Sequence, residues 1–134
     1  MKSPTRLLVV VTALTLAATL PAAAQATDAA PKLPDGVTPA LIEQGKKIFG
    51  GPGLCFACHG MDAKGAVGPN LTDKEWIHVK DGDYAGLVEQ ITKGTPQAEA
   101  KLGKGPMPPK GGSQISDAEV KAVAAYVWSL SHGT

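Results

Sequence analysis

A run of five residues, Cys55-Phe56-Ala57-Cys58-His59, constrains this chain more than any other stretch, because it holds both cysteines of the sequence. Two thiols three positions apart, with an imidazole directly after the second, form the attachment pattern of a c-type haem. Each thiol adds to one vinyl group of the porphyrin, and the histidine lies beneath the iron as its proximal ligand. The run therefore predicts one covalent haem c, with thioether bonds to Cys55 and Cys58 and with His59 as an axial ligand.

Other uses of a Cys-x-x-Cys pair fit the sequence less well. A zinc site needs about four ligands, whereas this chain has no second cysteine pair and two further histidines, His78 and His132. A thioredoxin-like redox pair follows a strand in a βαβ unit, and no strand-like alternation precedes Cys55. A structural disulfide would close a very short loop and stabilise little.

The beginning of the chain has the pattern of an export signal. Lys2 and Arg6 precede an apolar stretch over 7–20, and Ala24-Gln25-Ala26 has the small-x-small form of a cleavage site. We therefore expect residues 1–26 to be a cleaved secretory signal peptide. The protein would then lie in the periplasm, on the side of the membrane where c-type haem is attached.

An uncleaved membrane anchor is the alternative to a cleaved signal, since an apolar run of about 20 residues can span a bilayer. Pro21 and the weakly apolar alanines that follow it favour cleavage. Residues 27–38 are rich in proline and alanine without periodicity, which predicts a flexible leader. Residues 39–134 are then expected to form a single domain.

Charge and aromatic content narrow the functional classes. The chain has 13 basic and 12 acidic residues, and two of the basic ones, Lys2 and Arg6, lie in the predicted signal. Nucleic-acid binding needs concentrated basic charge, so no nucleic-acid partner is expected. Phe, Trp and Tyr occur twice each, so the core of a small domain needs another filler, and a haem supplies one. We expect the haem-free chain to be largely unfolded.

Apolar residues recur at helical spacing in several segments, and no alternating strand pattern occurs. Capping side chains mark the helix starts and glycines mark the ends. The predicted helices are 39–49 after Thr38, a short one over 71–76 capped by Thr72, one from Asp81-Gly82-Asp83 to Gly94, and one launched by Ser116-Asp117-Ala118-Glu119. Residues 95–115 are predicted to be a long functional loop. The fold class is all-α, with three to five short helices around one haem.

The second axial ligand decides what the haem can do, and Met107 is the best candidate. It lies in Gly105-Pro106-Met107-Pro108-Pro109, where no helical pattern surrounds it. Prolines on both sides restrict the backbone, so the loop can present one thioether to the iron. His/Met ligation occupies both axial positions and favours electron transfer over catalysis.

The other candidates for the distal position are His78, His132 or no protein ligand at all. His78 lies in a polar surrounding and is typical of a surface histidine, and His132 is close to the end of the chain. Met61 is only two residues from His59 and is therefore tied to the proximal side.

These residues together resemble the class I c-type cytochromes, small electron carriers with one haem, over about residues 39–131. Gly45 and Phe49 are similar to the family's N-terminal helix signature, and Val123 and Tyr126 match its contacts on the C-terminal helix. With no Cβ at Gly45, two helices can approach closely enough for Phe49 and Tyr126 to pack at their crossing.

The resemblance extends to the haem pocket. Gly68-Pro69-Asn70-Leu71 resembles the family's Gly-Pro-x-Leu loop, which implies that the Pro69 carbonyl accepts a hydrogen bond from Nδ1 of His59 and that Leu71 packs on the haem. Trp76 is where some members direct an aromatic donor toward a propionate, although core packing is the alternative. Met107 matches the distal methionine of the family.

The sequence therefore predicts an exported, monomeric, monohaem cytochrome that is not an enzyme and carries single electrons between a donor and an acceptor protein. A membrane oxidase or a dehydrogenase is a candidate partner. The alternatives are a haem subunit of a larger membrane oxidase or dehydrogenase complex, and a gas-binding or catalytic haem protein without methionine ligation. Six lysines are candidates to ring the haem edge and steer an acidic partner. They are Lys46, Lys47, Lys64, Lys101, Lys104 and Lys110.

Overall fold

The structure, a computed structural model, describes residues 31–133. The predicted signal peptide and the first part of the leader lie outside the described residues. The helices are α1 (Pro39–Phe49), α2 (Phe56–His59), α3 (Tyr84–Lys93) and α4 (Asp117–His132). Short 3-10 turns interrupt the connections at Lys80–Gly82, Gln97–Glu99 and Pro109–Gly112. Over this range the chain forms no strand, and the prediction of an all-α fold is confirmed.

The two longest helices begin as their capping residues predict. Thr38 caps α1 by accepting a hydrogen bond from the Leu41 N–H at 3.2 Å. Ser116 and Glu119 form a reciprocal capping box at the start of α4. These caps satisfy N–H groups that have no partner inside the helix, so local sequence fixes where each helix starts.

The crossing of α1 with α4 is the main contact between helices. The rings of Phe49 and Tyr126 meet edge to face with centroids 5.4 Å apart, a geometry that aromatic pairs favour. Gly45 lies at the crossing, where α1 comes closest to the α4 backbone. The predicted contact between these two helices is confirmed.

Helix α3 also packs on α4, through apolar residues and one hydrogen bond. The Tyr84 hydroxyl donates to the Lys121 carbonyl at 3.2 Å. The Asp83 carboxylate accepts from the Ala85 and Gly86 N–H groups and so caps α3, and Gly94 ends it as predicted.

The prediction of a short helix over 71–76 is wrong. The Asn70 side chain accepts hydrogen bonds from the N–H and the hydroxyl of Thr72, at 2.9 and 2.8 Å. Asp73 accepts from the Glu75 N–H at 2.9 Å. Asn and Asp side chains that take up nearby N–H groups in this way compete with helix formation. Thr72 therefore donates into a turn instead of capping a helix.

The described part of the leader lies against the domain. Residues 31–38 contain neither helix nor strand, but Val37 is buried and Leu33 packs against the core. None of the helices between residues 31 and 133 combines the length and the apolar character that crossing a membrane requires.

Candidate cofactor site

A cleft with an empty volume of about 1040 Å³, part of it open to solvent, lies beside α3 and α4. Every residue that the sequence assigns to the cofactor lines it. These residues are Cys55, Cys58, His59, Pro69, Leu71, Trp76 and Met107. Residues separated by up to 52 positions in the sequence are thus brought to one place by the helix packing.

The walls of the cleft are mostly apolar. Helices α1, α3 and α4 each contribute hydrophobic side chains, namely Phe49, Leu87, Ile91, Val123 and Val127. An apolar cleft with a few polar groups is typical of a cofactor site.

The short helix α2 sets the geometry of the two thiols and the imidazole. His59 donates its N–H to the Cys55 carbonyl at 3.0 Å, which closes one helical turn. Residues three and four positions apart lie on one face of a helix, so the turn places Cys55, Cys58 and His59 together. The Cys55 thiol is buried and donates to the Gly53 carbonyl at 3.3 Å. Burial raises the pKa of that thiol to about 11.

His59 is oriented by a backbone carbonyl. Its Nδ1 lies 2.9 Å from the Pro69 carbonyl oxygen, and this is the hydrogen bond that the resemblance implies. Burial lowers the pKa of His59 from its ordinary value, while the hydrogen bond to Pro69 opposes that change. Nδ1 is engaged and the neutral imidazole is favoured, so Nε2 is available as a metal ligand.

Met107 is held in the cleft by its backbone. It is half-buried and packs against the hydrophobic core. Its N–H donates to the Thr95 carbonyl at 2.9 Å, and the Thr95 N–H donates to the Met107 carbonyl at 2.7 Å. The prolines at 106 and 108 restrict the chain on either side. The thioether is therefore carried by a short segment with little freedom.

The remaining aromatic and imidazole candidates differ in position. Trp76 is half-buried at the cleft and its ring packs on Gly82, which has no Cβ to obstruct it. His78 also lines the cleft but is exposed. His132 lies at the end of α4, where its ring stacks on Trp128 with centroids 4.2 Å apart. Of the two alternative histidine ligands, the cleft therefore contains His78.

The sequence did not indicate two of the polar residues that line the cleft. Gln90 and Thr95 line the cleft beside Met107, and nothing in the apolar pattern indicated them. The only local sign in the sequence was that Thr95, a polar residue, follows the glycine that ends α3 and precedes a proline-rich loop.

Of the six candidate lysines, Lys101 and Lys104 line the cleft.

The residues present fit a covalently attached haem. Two thiols, an imidazole and a thioether line one apolar cleft, and these are the donor types that c-type cytochromes use. When bound, the haem would supply one-electron redox chemistry to the domain.

Comparisons with known proteins agree with this interpretation. Residues 40–127 match the family model described as cytochrome c oxidase, cbb3-type, subunit III. The cbb3-type cytochrome c oxidase subunit FixP of Bradyrhizobium sp. (strain ORS 278) is 44% identical over 92 residues, covering 66% of this chain and 27% of the relative. The subunit CcoP of Cereibacter sphaeroides is 36% identical over 97 residues, covering 70% and 29%.

A solved structure supports the same fold. Cytochrome cL from Methylophaga aminisulfidivorans superposes with a TM-score of 0.53 at 26% identity, covering 68% of this chain and 53% of that one. The two oxidase subunits are much longer than the matched region, since the chain spans 27% and 29% of their lengths.

Fold, cleft and relatives together define a class I c-type cytochrome with covalently bound haem c, whose general role is electron transport. Within that class, the chain belongs to the family of cbb3-type cytochrome c oxidase subunit III domains.

Proposed function

We propose that this chain is a monohaem electron-transfer unit that passes single electrons through a His59/Met107-ligated haem to a membrane oxidase. The observation that carries the proposal is that His59 and Met107 line the same cleft as the paired thiols. A haem with both axial positions filled by protein exchanges electrons without binding a substrate.

Each site residue has a definite role in this proposal. Cys55 and Cys58 would hold the haem through thioether bonds, His59 would be the proximal ligand and Met107 would be the distal one. The Pro69 carbonyl holds the imidazole in place, which raises its basicity as a ligand. Leu71 and Trp76 line the cleft, so they would pack beside the haem and exclude water from it.

The relatives favour a role with a membrane oxidase over that of a free carrier. The family description and the names of the similar proteins refer to subunits of a cbb3-type oxidase. We therefore propose that the haem domain works on the periplasmic side of the membrane, as part of such a complex or docked to it. The free periplasmic carrier is the second candidate.

The residues at the open side of the cleft are suited to contact with a partner protein. Lys101 and Lys104 lie at its wall, and the nearby side chains of Leu54, Val67 and Leu102 are exposed. Apolar contacts bordered by positive charge suit a transient redox complex with an acidic partner.

Optical spectra of the haem-loaded protein test the ligand assignment. The oxidised wild type should show the thioether-to-ferric charge-transfer band, and Met107→Ala should abolish it. Met61→Ala is the matched control, because Met61 is 68% exposed and should leave the band unchanged. A wild-type spectrum without the band would reject Met107 and direct attention to His78.

Carbon monoxide separates electron transfer from gas binding or catalysis. The reduced wild type should exclude carbon monoxide, whereas Met107→Ala should bind it. Rapid binding to the wild type would support a ligand-binding haem protein instead.

Affinity purification from detergent-solubilised membranes tests the proposed assembly. A tagged chain should recover a cbb3-type oxidase and should be oxidised by it in oxygenated buffer. Recovery of the chain alone, together with equal rates of oxidation by membranes lacking that oxidase, would favour the free carrier.

A further inference from the structure

We propose that Thr95 and Gln90 are positioning residues for the distal ligand, because they fix the Met107 segment to the end of α3. This inference rests on the proposed ligation of the haem by Met107.

The first link is the paired backbone hydrogen bond between Thr95 and Met107. The two residues exchange both N–H···O bonds, at 2.7 and 2.9 Å, in an isolated antiparallel bridge. Residues 101–105 contain two glycines, so the segment leading to Met107 has considerable intrinsic freedom. The bridge limits that freedom at the residue that carries the thioether.

The second link is the side-chain amide of Gln90. Its Nε2 donates to the Gly94 carbonyl at 3.1 Å and to the Thr95 hydroxyl oxygen at 2.7 Å. Thr95 is only 6% exposed and Gln90 is half-buried, so these bonds are partly shielded from water. One amide therefore joins the last turn of α3 to the bridge.

The third link is the close approach of the α3 terminus to the methionine. Gly94 adopts a φ of +72°, and a Cβ built there would lie 2.2 Å from the Met107 carbonyl oxygen. The backbone of α3 thus contacts the Met107 segment directly. Two residues before the methionine, the Gly105 N–H donates to the Val67 carbonyl at 3.2 Å, which joins the segment to the loop that carries Pro69.

These links matter because a thioether is a weak, exchangeable ligand. An external ligand can bind the iron only in molecules in which Met107 has moved away, so its apparent affinity follows the fraction in that open form. Removing a partly buried hydrogen bond that favours the closed form should raise that fraction about fivefold.

Imidazole binding to the oxidised, haem-loaded protein measures the open fraction. Thr95→Val and Gln90→Leu should each raise the affinity for imidazole about fivefold. Both changes remove the bond between the Gln90 amide and the Thr95 hydroxyl, and Gln90→Leu also removes the bond to the Gly94 carbonyl. The double variant should therefore match Gln90→Leu. Thr95→Ser keeps the hydroxyl and should bind imidazole as the wild type does.

Thr92→Val is the matched control, because Thr92 is an exposed residue of α3 whose hydroxyl donates only within the helix, to the Val88 carbonyl at 2.7 Å. It should leave imidazole affinity unchanged. Urea unfolding of the same proteins separates positioning from a merely structural role. Thr95→Val and Gln90→Leu variants that lose stability but bind imidazole like the wild type would overturn the inference.

The charge-transfer band tests the ligation by Met107 separately from the positioning role of Thr95 and Gln90. A wild type that has the charge-transfer band, combined with unchanged imidazole affinity in both variants, rejects the positioning role alone. A wild type that lacks the band and binds imidazole as tightly as Met107→Ala rejects the ligation by Met107, and the positioning role with it. If Thr95→Val does not yield folded protein, Gln90→Leu and Thr95→Ser decide the question.

Discussion

Gly45 of α1 and Ala122 of α4 lie so close that a Cβ added to Gly45 would be 1.9 Å from the Ala122 carbonyl oxygen. The same atom would lie 2.9 Å from the Cβ of Tyr126. The two helices therefore cross with their backbones nearly in contact, and the aromatic pair of Phe49 and Tyr126 packs beside this point.

Gly45→Ala should destabilise the protein by roughly 3 kcal/mol, because the contact is with backbone atoms that cannot rotate away. Denaturant unfolding of the haem-loaded protein measures this loss. Gln44→Ala, an exposed neighbour on α1, is the control and should change stability by less than about 0.5 kcal/mol. Equal effects of the two substitutions would contradict the close crossing.

Gly68→Ala should disturb the proximal imidazole. A Cβ at Gly68 would lie 2.8 Å from Cε1 and 2.9 Å from Nδ1 of His59, so the ring must tilt and its bond to the Pro69 carbonyl must lengthen. A less basic imidazole stabilises the oxidised iron less, and the reduction potential should rise by roughly 60 mV. Redox titration checks this, with Ala66→Ser at an exposed neighbouring site as control. A potential unchanged within error would show that the ring adapts freely.

Gly82→Ala tests the support beneath Trp76. Gly82 has a φ of +64°, and its Cβ would lie 2.3 Å from the Trp76 ring. Gly36 has a similar φ of +79° but open space around it, so Gly36→Ala isolates the backbone strain. We expect a loss of about 1 kcal/mol for Gly36→Ala and about 3 kcal/mol for Gly82→Ala, measured by unfolding. Similar losses would mean that the Trp76 ring moves aside without cost.

The capping box predicts a pH-dependent part of the stability. Hydrogen bonds from the N–H and hydroxyl of Ser116 lower the pKa of Glu119 from its ordinary value of 4.5. The folded-state pKa is the lower one, so this stabilisation is complete above the pKa of the unfolded chain and is lost as pH falls through the folded value. Glu119→Gln should therefore be less stable than the wild type at neutral pH and equally stable in strong acid. A difference that persists in acid would contradict the assigned cause.

Lys101 and Lys104 should favour negatively charged redox reagents, because they lie at the wall of the cleft. Replacing both by Gln should slow oxidation of the reduced protein by ferricyanide, roughly threefold per charge at low ionic strength. The same variant should react faster with a cationic cobalt(III) complex, and both effects should vanish in high salt. Lys121→Gln, an exposed site on α4, is the control. If the double variant reacts with both reagents at the same rates as the wild type, steering by these lysines is excluded.

Short-range patterns predicted much of this structure, because helix starts and ends depend on neighbouring residues. Thr38, Gly94 and the capping box of α4 marked helix boundaries that the structure confirms. The exception at Thr72 has the same kind of cause, since the side chains of Asn70 and Asp73 offered the backbone a closer set of acceptors.

The support around Met107 could not be predicted in this way. The bridge to Thr95 depends on how the loop after α3 folds back over 12 residues, and no periodic pattern records such a return. Gln90 resembled an ordinary half-buried helical residue until the position of Thr95 was known. The role of a side chain that acts through a tertiary contact cannot be predicted from the residues next to it in the sequence.

The crossing of α1 and α4 also imposes an order on the maturation of the protein. In the closed domain, Val123 and Val127 of α4 form part of the cleft wall, and the Cys55 thiol is buried. An attachment enzyme would meet both thiols readily only while α4 is still undocked. Docking of the last helix would then enclose a cofactor that is already in place.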